Sequence, residues 1–390
     1  MRWTFMAGLL GLLSGAMTAL TLWLMKHLEH FLWHGANGPI AIFFTIMMGG
    51  VLIALIRYFL PISSLQDLIK SAQDPILVQH KIMLSIALTA IVAVAFGGAI
   101  GPEAGLIAIV AELSTFVIMR LSHERAQQQA LGEAVIAGSM SALYGSPPAG
   151  AVVAQDQSPL HLPKIGLWFA AFMGLLGFLW VSKHILGSGF ERLELPSYVA
   201  ALDGTDLLWA TIPAVLGVAV GVLFVTLLPS LQNLFNRLGH PVVQTLVGTL
   251  LYALLASFFP ILRFSGHHEL SELPHWLQSY GATGLMSLAL LKVLALSICL
   301  ASGWLGGAIF PLLLAGASAG LAITGLVPEI PAAVALAAGM AGAATVGMGK
   351  PIAAILILLF LAGPQTLPAM CVGAVMGLVA SKQWPLTAKH

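Results

Sequence analysis

The chain has 390 residues, 59% of them apolar and only 8% charged, with a formal net charge of +1. Soluble domains carry about 25% charged residues, so the composition excludes an ordinary soluble enzyme and points to an integral membrane protein. The near-zero charge gives no footing for nucleic acid, and Cys299 and Cys371, each alone in an apolar run, suggest neither a disulfide framework nor a CxxC site.

A helix needs ~20 apolar residues to cross a bilayer. The expected spans are 3–25, 38–60, 82–100, 102–120, 165–186, 207–228, 241–262, 281–301, 305–326 and 365–381. The first follows Arg2 and contains Ser14-Gly15-Ala16, faintly like a signal-peptide end, but its apolar run continues beyond that point and reads as an uncleaved membrane helix. Four apolar pieces, 127–144, 147–155, 331–346 and 351–362, are too short or too broken to cross simply, the pattern of half-helices around a site. The segment 229–240 reads as an amphipathic interfacial helix. The polar connection 187–206 carries Glu191, Arg192, Glu194, Asp203 and Asp206 and divides the chain into halves, 1–190 and 191–390.

The stretch richest in chemistry runs from Phe96 to Gly105. Gly97, Gly98, Gly101 and Pro102 break the helix between two apolar runs, and Glu103 follows immediately. Irregular backbone at membrane depth survives only inside protein or beside a water-filled cavity. Pro102 suits the first position of a new helix, which would put Glu103 in its first turn beside backbone N–H groups that attract anions. One reading is an anion site with Glu103 in it or beside it. The other is a glycine-packed junction whose glutamate is neutral or paired.

The halves repeat. Gly98-Ala99-Ile100-Gly101 matches Gly303-Trp304-Leu305-Gly306, Ala137-Gly138-Ser139-Met140 matches Ala338-Gly339-Met340-Ala341, and Gly145–Gly150 matches Gly349–Ala354, at offsets of 201 to 205 and in the same order. Repeats of this kind place a transporter's substrate site at their interface. The second-half partner of the opening break is Ser302–Pro311, where Ala308 and Ile309 would offer amides to an anion or, alternatively, small residues would simply permit close packing. Lys and Arg are spread along both halves, so membrane orientation is not legible.

Several of these residues together resemble the CLC family of chloride channels and chloride/proton exchangers. Leu291-Lys292-Val293-Leu294 leads through Ser297 and Ser302 to Gly306-Gly307-Ala308-Ile309-Phe310-Pro311. Gly101-Pro102-Glu103-Ala104-Gly105 stands in the place of the family's G-[KR]-E-G-P, and Ser146–Val153 in the place of its A-P-L-A-G helix. The resemblance covers roughly residues 40–385. It implies an all-α polytopic fold built as an inverted repeat of tilted and broken helices, a homodimer with one pore per protomer, and passage of a small inorganic anion, chloride first, as a channel or with a proton as an antiporter. It also implies a gate at Glu103 and anion contacts at Gly101, Pro102, Ala104, Gly105, Gly307, Ala308, Ile309 and Phe310. No cofactor, metal or catalytic residue is implied. The family's C-terminal cytoplasmic domain has no counterpart before His390, and a bacterial-type inner membrane is the expected location.

The chain departs from the pattern at named positions. Pro102 replaces the basic residue, and Ile309 takes the aromatic place of G-x-F-x-P. The G-S-G-I-P loop has no clear copy, and Ser63 or Ser64 is the candidate hydroxyl. Thr387 aligns with the missing pore tyrosine. The internal proton-transfer glutamate falls on Gln157, with Asp156 one residue away.

Other candidates have plainer explanations. Glu112, nine residues after Glu103, faces away from it on one helix and reads as structural pairing. Lys292 and Lys350 would add positive potential near an anion path, or else snorkel or cap a helix end. His27, His30 and His34 share a helical face, and His267, His268, Glu269, Glu272 and His275 cluster, but neither set has zinc spacing. Gly316-Ala317-Ser318-Ala319-Gly320 fits the G-x-S-x-G of a serine hydrolase, which needs a histidine base that no mid-span position supplies. Two alternatives remain: a secondary transporter of a small organic substrate, and an intramembrane serine hydrolase acting through Ser318.

Overall fold

The computed structural model describes residues 2–35, 38–60, 80–121, 124–155, 164–187, 196–200 and 204–384. These residues form an all-α fold. Its helices are α1 (Arg2–Trp33), α2 (Pro39–Phe59), α3 (His80–Ala95), α4 (Glu103–Leu121), α5 (Arg125–Tyr144), α6 (Pro147–Gln155), α7 (Lys164–His184), α8 (Thr205–Asn236), α9 (Pro241–Phe258), α10 (Leu273–Ser302), α11 (Ile309–Ala322), α12 (Ala332–Met348), α13 (Pro351–Ala362) and α14 (Leu367–Gln383). Among the described residues, eight helices are long and apolar enough to cross a membrane. Large apolar side chains face outward on them, among them Phe44, Phe172, Trp180 and Leu254, a surface suited to lipid and costly in water.

Two expected spans are cut short by glycine. The span 82–100 ends at Ala95, before Gly97 turns into the left-handed region at φ 81°, and the span 305–326 begins only at Ile309, after Gly303 at φ 94°. The segment 229–240 is not a separate helix: α8 runs on through Pro213 and Pro229 to Asn236. Each proline removes one ladder bond, but Phe235, 2% exposed, anchors the last turn. It packs toward Gly248 of α9. Helix α10 contains a kink at Gly281, with φ 66° and ψ −173°.

The backbone carries the repeat that the letters only suggest. Gly145 closes α5 at φ 63° with its N–H on Ser141 O, and Gly349 closes α12 at φ 67° with its N–H on Thr345 O. A proline then opens the next helix in both places, Pro147 in α6 and Pro351 in α13. Helices α4 and α11 likewise start at Glu103 and Ile309, just after the two glycine breaks.

Packing divides the chain into two units, one of Met1–His34, Leu52–Phe96 and Pro102–Glu191, the other of Gly35–Val51, Gly97–Gly101 and Arg192–His390. In the first unit α1, α5 and α7 cross with backbones nearly touching. A methyl at Gly11 would overlap the Ala170 carbonyl, and one at Gly174 would overlap Gly138. Lipid tails are as apolar as leucine, so helices in a membrane associate through close packing and interhelical hydrogen bonds. Thr18 and Ser139 share such a bond, 3.0 Å between hydroxyl oxygens. In the second unit the alanine- and glycine-rich α12 plays the same part, with the Gly339 carbonyl facing both Gly217 of α8 and Gly316 of α11.

Candidate anion site at two glycine breaks

The first break, Gly97–Gly101, packs entirely within the second unit. Its first carbonyl, Gly97 O, accepts a hydrogen bond from the Tyr252 hydroxyl and another from the Phe264 N–H at 3.2 Å. Ile100 N–H closes a tight turn onto Gly98 O at 2.8 Å. Gly101 then pairs with Gly307 of the second break in both directions: Gly101 N–H to Gly307 O at 2.8 Å, and Gly307 N–H to Gly101 O at 2.9 Å. This is the one isolated β-bridge among the described residues. Gly306, beside it, is filled against by Ile100, which is 1% exposed.

Helix α9 braces the second break from behind. Thr245 Oγ1 donates to Ser302 O at 2.9 Å, and the Trp304 indole N–H donates to Thr249 Oγ1 at 2.9 Å. The Trp304 and Tyr252 rings meet edge to face, 5.7 Å between centroids. One fully buried face of α9, Thr245, Thr249 and Tyr252, thus reaches both breaks.

The helix starts follow from helix arithmetic. The first ladder bond of α4 is Leu106 N–H to Pro102 O, and that of α11 is Leu312 N–H to Ala308 O. The amides of Glu103, Ala104 and Gly105, and those of Ile309 and Phe310, therefore find no acceptor inside their own helices. Pro102 has no N–H to give, and those of Gly101 and Gly307 are taken by each other. Of the candidate anion contacts, Gly101 and Gly307 form the joint, and Glu103, Ala104, Gly105, Ile309 and Phe310 stand in the first turns beyond it. Glu103 opens α4 in the first unit and is 3% exposed. The Tyr144 phenol, 1% exposed, lies within its electrostatic reach. Gly105 packs against Met25 and Ala90 with no room for a side chain.

The remaining candidates separate cleanly. Ser63, Ser64, Asp156, Gln157 and Thr387 lie outside the described residues. Glu112 is half-buried on α4. Among the described residues no group of three His, Cys, Asp or Glu is placed to hold a metal; His27 and His30 are exposed near the end of α1 and His34 is exposed just after it. Ser318 is fully buried in mid-helix and donates to Leu314 O at 2.8 Å, and its flanking glycines pack against α12 backbone. A nucleophile elbow requires an exposed serine on a strained turn, so Ser318→Ala is expected to leave function intact, and a fluorophosphonate probe to leave Ser318 unlabelled. Lys292 neither snorkels nor caps a helix end. It is fully buried and donates to three carbonyls, Leu262 O at 3.1 Å, Arg263 O at 3.3 Å and Phe264 O at 2.8 Å.

Tyr252, Thr249, Trp304 and Phe264 were not legible as site residues. The one available signal was the spacing of Thr245, Thr249 and Tyr252, a polar stripe at helical period in an otherwise apolar span.

Comparison with known proteins agrees with this architecture. A crystal structure described as a CLC-type fluoride/proton antiporter superposes with a TM-score of 0.81, covering 99% of this chain and 97% of its own at 19% identity. A slow cyanobacterial Cl-/H+ antiporter gives 0.79, covering 99% and 95% at 17% identity. In sequence, the chain is 24% identical over 351 residues to the protein named "Putative ion-transport protein YfeO" of Shigella sonnei (strain Ss046), covering 85% of this chain and 81% of that protein. The same figures hold for the like-named protein of Escherichia coli O139:H28 (strain E24377A / ETEC). The sequence model of the family described as "Voltage gated chloride channel" matches residues 67–382, and with that span matched the chain belongs to the voltage-gated chloride channel, or CLC, family.

Proposed function

We propose that this protein carries small inorganic anions, chloride foremost, across a bacterial inner membrane, with Glu103 as its gate. The observation that supports this most directly is the pair of helices that begin straight after a glycine break, with a buried glutamate at the head of one. Amides at Glu103, Ala104 and Gly105 and at Ala308, Ile309 and Phe310 are the proposed donors, since a helix N-terminus favours an anion with no cationic side chain needed. A homodimer is the proposed assembly. Similar folds are described for a fluoride and for a chloride antiporter, so both anions belong in the test.

The test is purified protein in liposomes, with anion efflux and proton uptake recorded in the same vesicles. Chloride efflux above that of empty vesicles is expected, and its absence for chloride, bromide, nitrate and fluoride alike overturns the reading. An anomalous bromide map should show density at the first turns of α4 and α11, and density at surface lysines alone counts against those donors. Coupling is expected to be loose or absent, because Gln157 cannot ionise. If a chloride gradient drives protons uphill and this survives Asp156→Asn, the internal proton route lies elsewhere.

A further inference from the structure

The buried ammonium of Lys292 has no place in the anion path as described, yet its surroundings are specific. Three carbonyls from consecutive residues, Leu262, Arg263 and Phe264, converge on Nζ. An ammonium has three N–H donors and a neutral amine has two, so three acceptors at hydrogen-bond distance select the charged form even in a site with no exposed surface. The carbonyls belong to a short strap between α9 and α10 that touches both breaks. Phe264, the one non-glycine residue with positive φ among those described, at 57°, directs its N–H to Gly97 O. Gly266, at φ 87°, lies against Leu314 of α11, where a side chain would collide. The His267 ring meets Phe310 in the first turn of α11 edge to face, 5.1 Å between centroids. Lys292 itself sits on α10, the helix that ends at Ser302 and leads into the second break.

We propose that Lys292 is a positioning residue for both glycine breaks: its ammonium fixes the strap from Leu262 to His267, and the strap in turn fixes Gly97 at the first break and Phe310 beyond the second. Phe264 holds its left-handed backbone because the carbonyls on either side of it are clamped; a phenylalanine left to itself disfavours that conformation. Releasing the clamp lets the strap relax, and Gly97 O loses one of its two donors while Phe310 loses the fixed ring of His267 beside it. Lys292 acts through backbone and touches no transported ion.

This rests on the anion-transport reading, and the experiment separates the two. Lys292→Met keeps an unbranched apolar stem of nearly the same length and removes the donors. In liposomes it is expected to lower chloride flux roughly tenfold or more at both acid and neutral pH, and to flatten the preference among chloride, bromide and nitrate, while the purified protein stays monodisperse. The same loss is expected in a Glu103→Gln background, so a failure of Glu103 as gate would leave this result standing. Lys292→Arg should restore little, because a planar fork cannot converge on three carbonyls as an ammonium does. In Lys292→Ala, methylammonium should recover flux and anion preference, and methanol should not. Tyr252→Phe provides a check that leaves the buried charge alone: it removes the other donor to Gly97 O and should shift anion preference in the same direction by a smaller amount. Wild-type flux and preference in folded Lys292→Met overturn the proposal. Should Lys292→Met fail to fold, unchanged preference in Tyr252→Phe overturns it.

Discussion

Glu103→Gln is expected to leave anion flux nearly the same at about pH 4 and about pH 7.5, where the parent protein should conduct far better in acid; the two values straddle the ordinary range of a glutamate. The side chain is 3% exposed at the first position of α4. Burying a carboxylate at membrane depth costs ~3 kcal/mol on the mildest scales, and a helix N-terminus returns about 0.3–1 kcal/mol, at most ~2 in partly buried geometry. The two terms oppose each other and leave a difference of about 1–3 kcal/mol, which about one or two pH units can offset. The carboxylate and an anion would compete for the same first-turn amides, and their charges repel. On the proposed gating, deprotonated Glu103 would occupy the site and block it, and protonated Glu103 would withdraw. Glutamine imitates the neutral acid at every pH, so any proton movement should vanish along with the pH dependence, and Glu103→Ala should behave alike while leaving room for a further anion. The readout is efflux from loaded liposomes for the three proteins. Mutants that keep the parent's pH response would make Glu103 a structural carboxylate, leaving the amides without a gate.

What could be read from the letters follows physical lines. Gly97, Gly101, Pro102 and Glu103 announce a break because each is costly inside a membrane helix and they stand together. Gly145 and Gly349 announce helix ends because each is followed two residues later by a proline that starts the next helix. Pro229 announces a break that does not occur, since a proline removes one bond and the buried Phe235 keeps the turn in place. The joint itself was hidden. Gly101 and Gly307 were candidates for anion contact through their amides, and only tertiary structure shows those amides bound to each other. Lys292 was hidden for a related reason: its three acceptors are main-chain carbonyls, which every residue possesses and no sequence pattern marks. The hydroxyl of Tyr252 on Gly97 O joins positions 155 apart, a pairing that helical periodicity within α9 cannot reveal.

The joint supplies the second large effect. Gly306→Ala should abolish transport. A Cβ at Gly306 would lie 2.6 Å from both Cβ and Cδ1 of Ile100 and 2.7 Å from its Cγ1. Ile100 cannot move away, because Gly101 follows it directly and is bonded in both directions to Gly307. Overpacking of this kind costs about 1–3 kcal/mol, and parting the bridge would forfeit two hydrogen bonds worth about 0.5–1.5 kcal/mol each. The cheapest relief is to open the bridge, which frees two glycine amides and separates the peptides leading into α4 and α11. Removing the Ile100 side chain takes away every atom in the collision, so Ile100→Gly with Gly306→Ala should recover flux that Ile100→Ala with Gly306→Ala does not, since the remaining Cβ is itself among the clashing atoms. Gly38→Ala serves as control, because nothing lies within 4 Å of a Cβ there. Chloride flux and melting temperature should be measured together for all four. A Gly306→Ala protein that transports like its parent would mean that the two breaks can slide past each other, and that the Gly101–Gly307 pairing does not set the anion path.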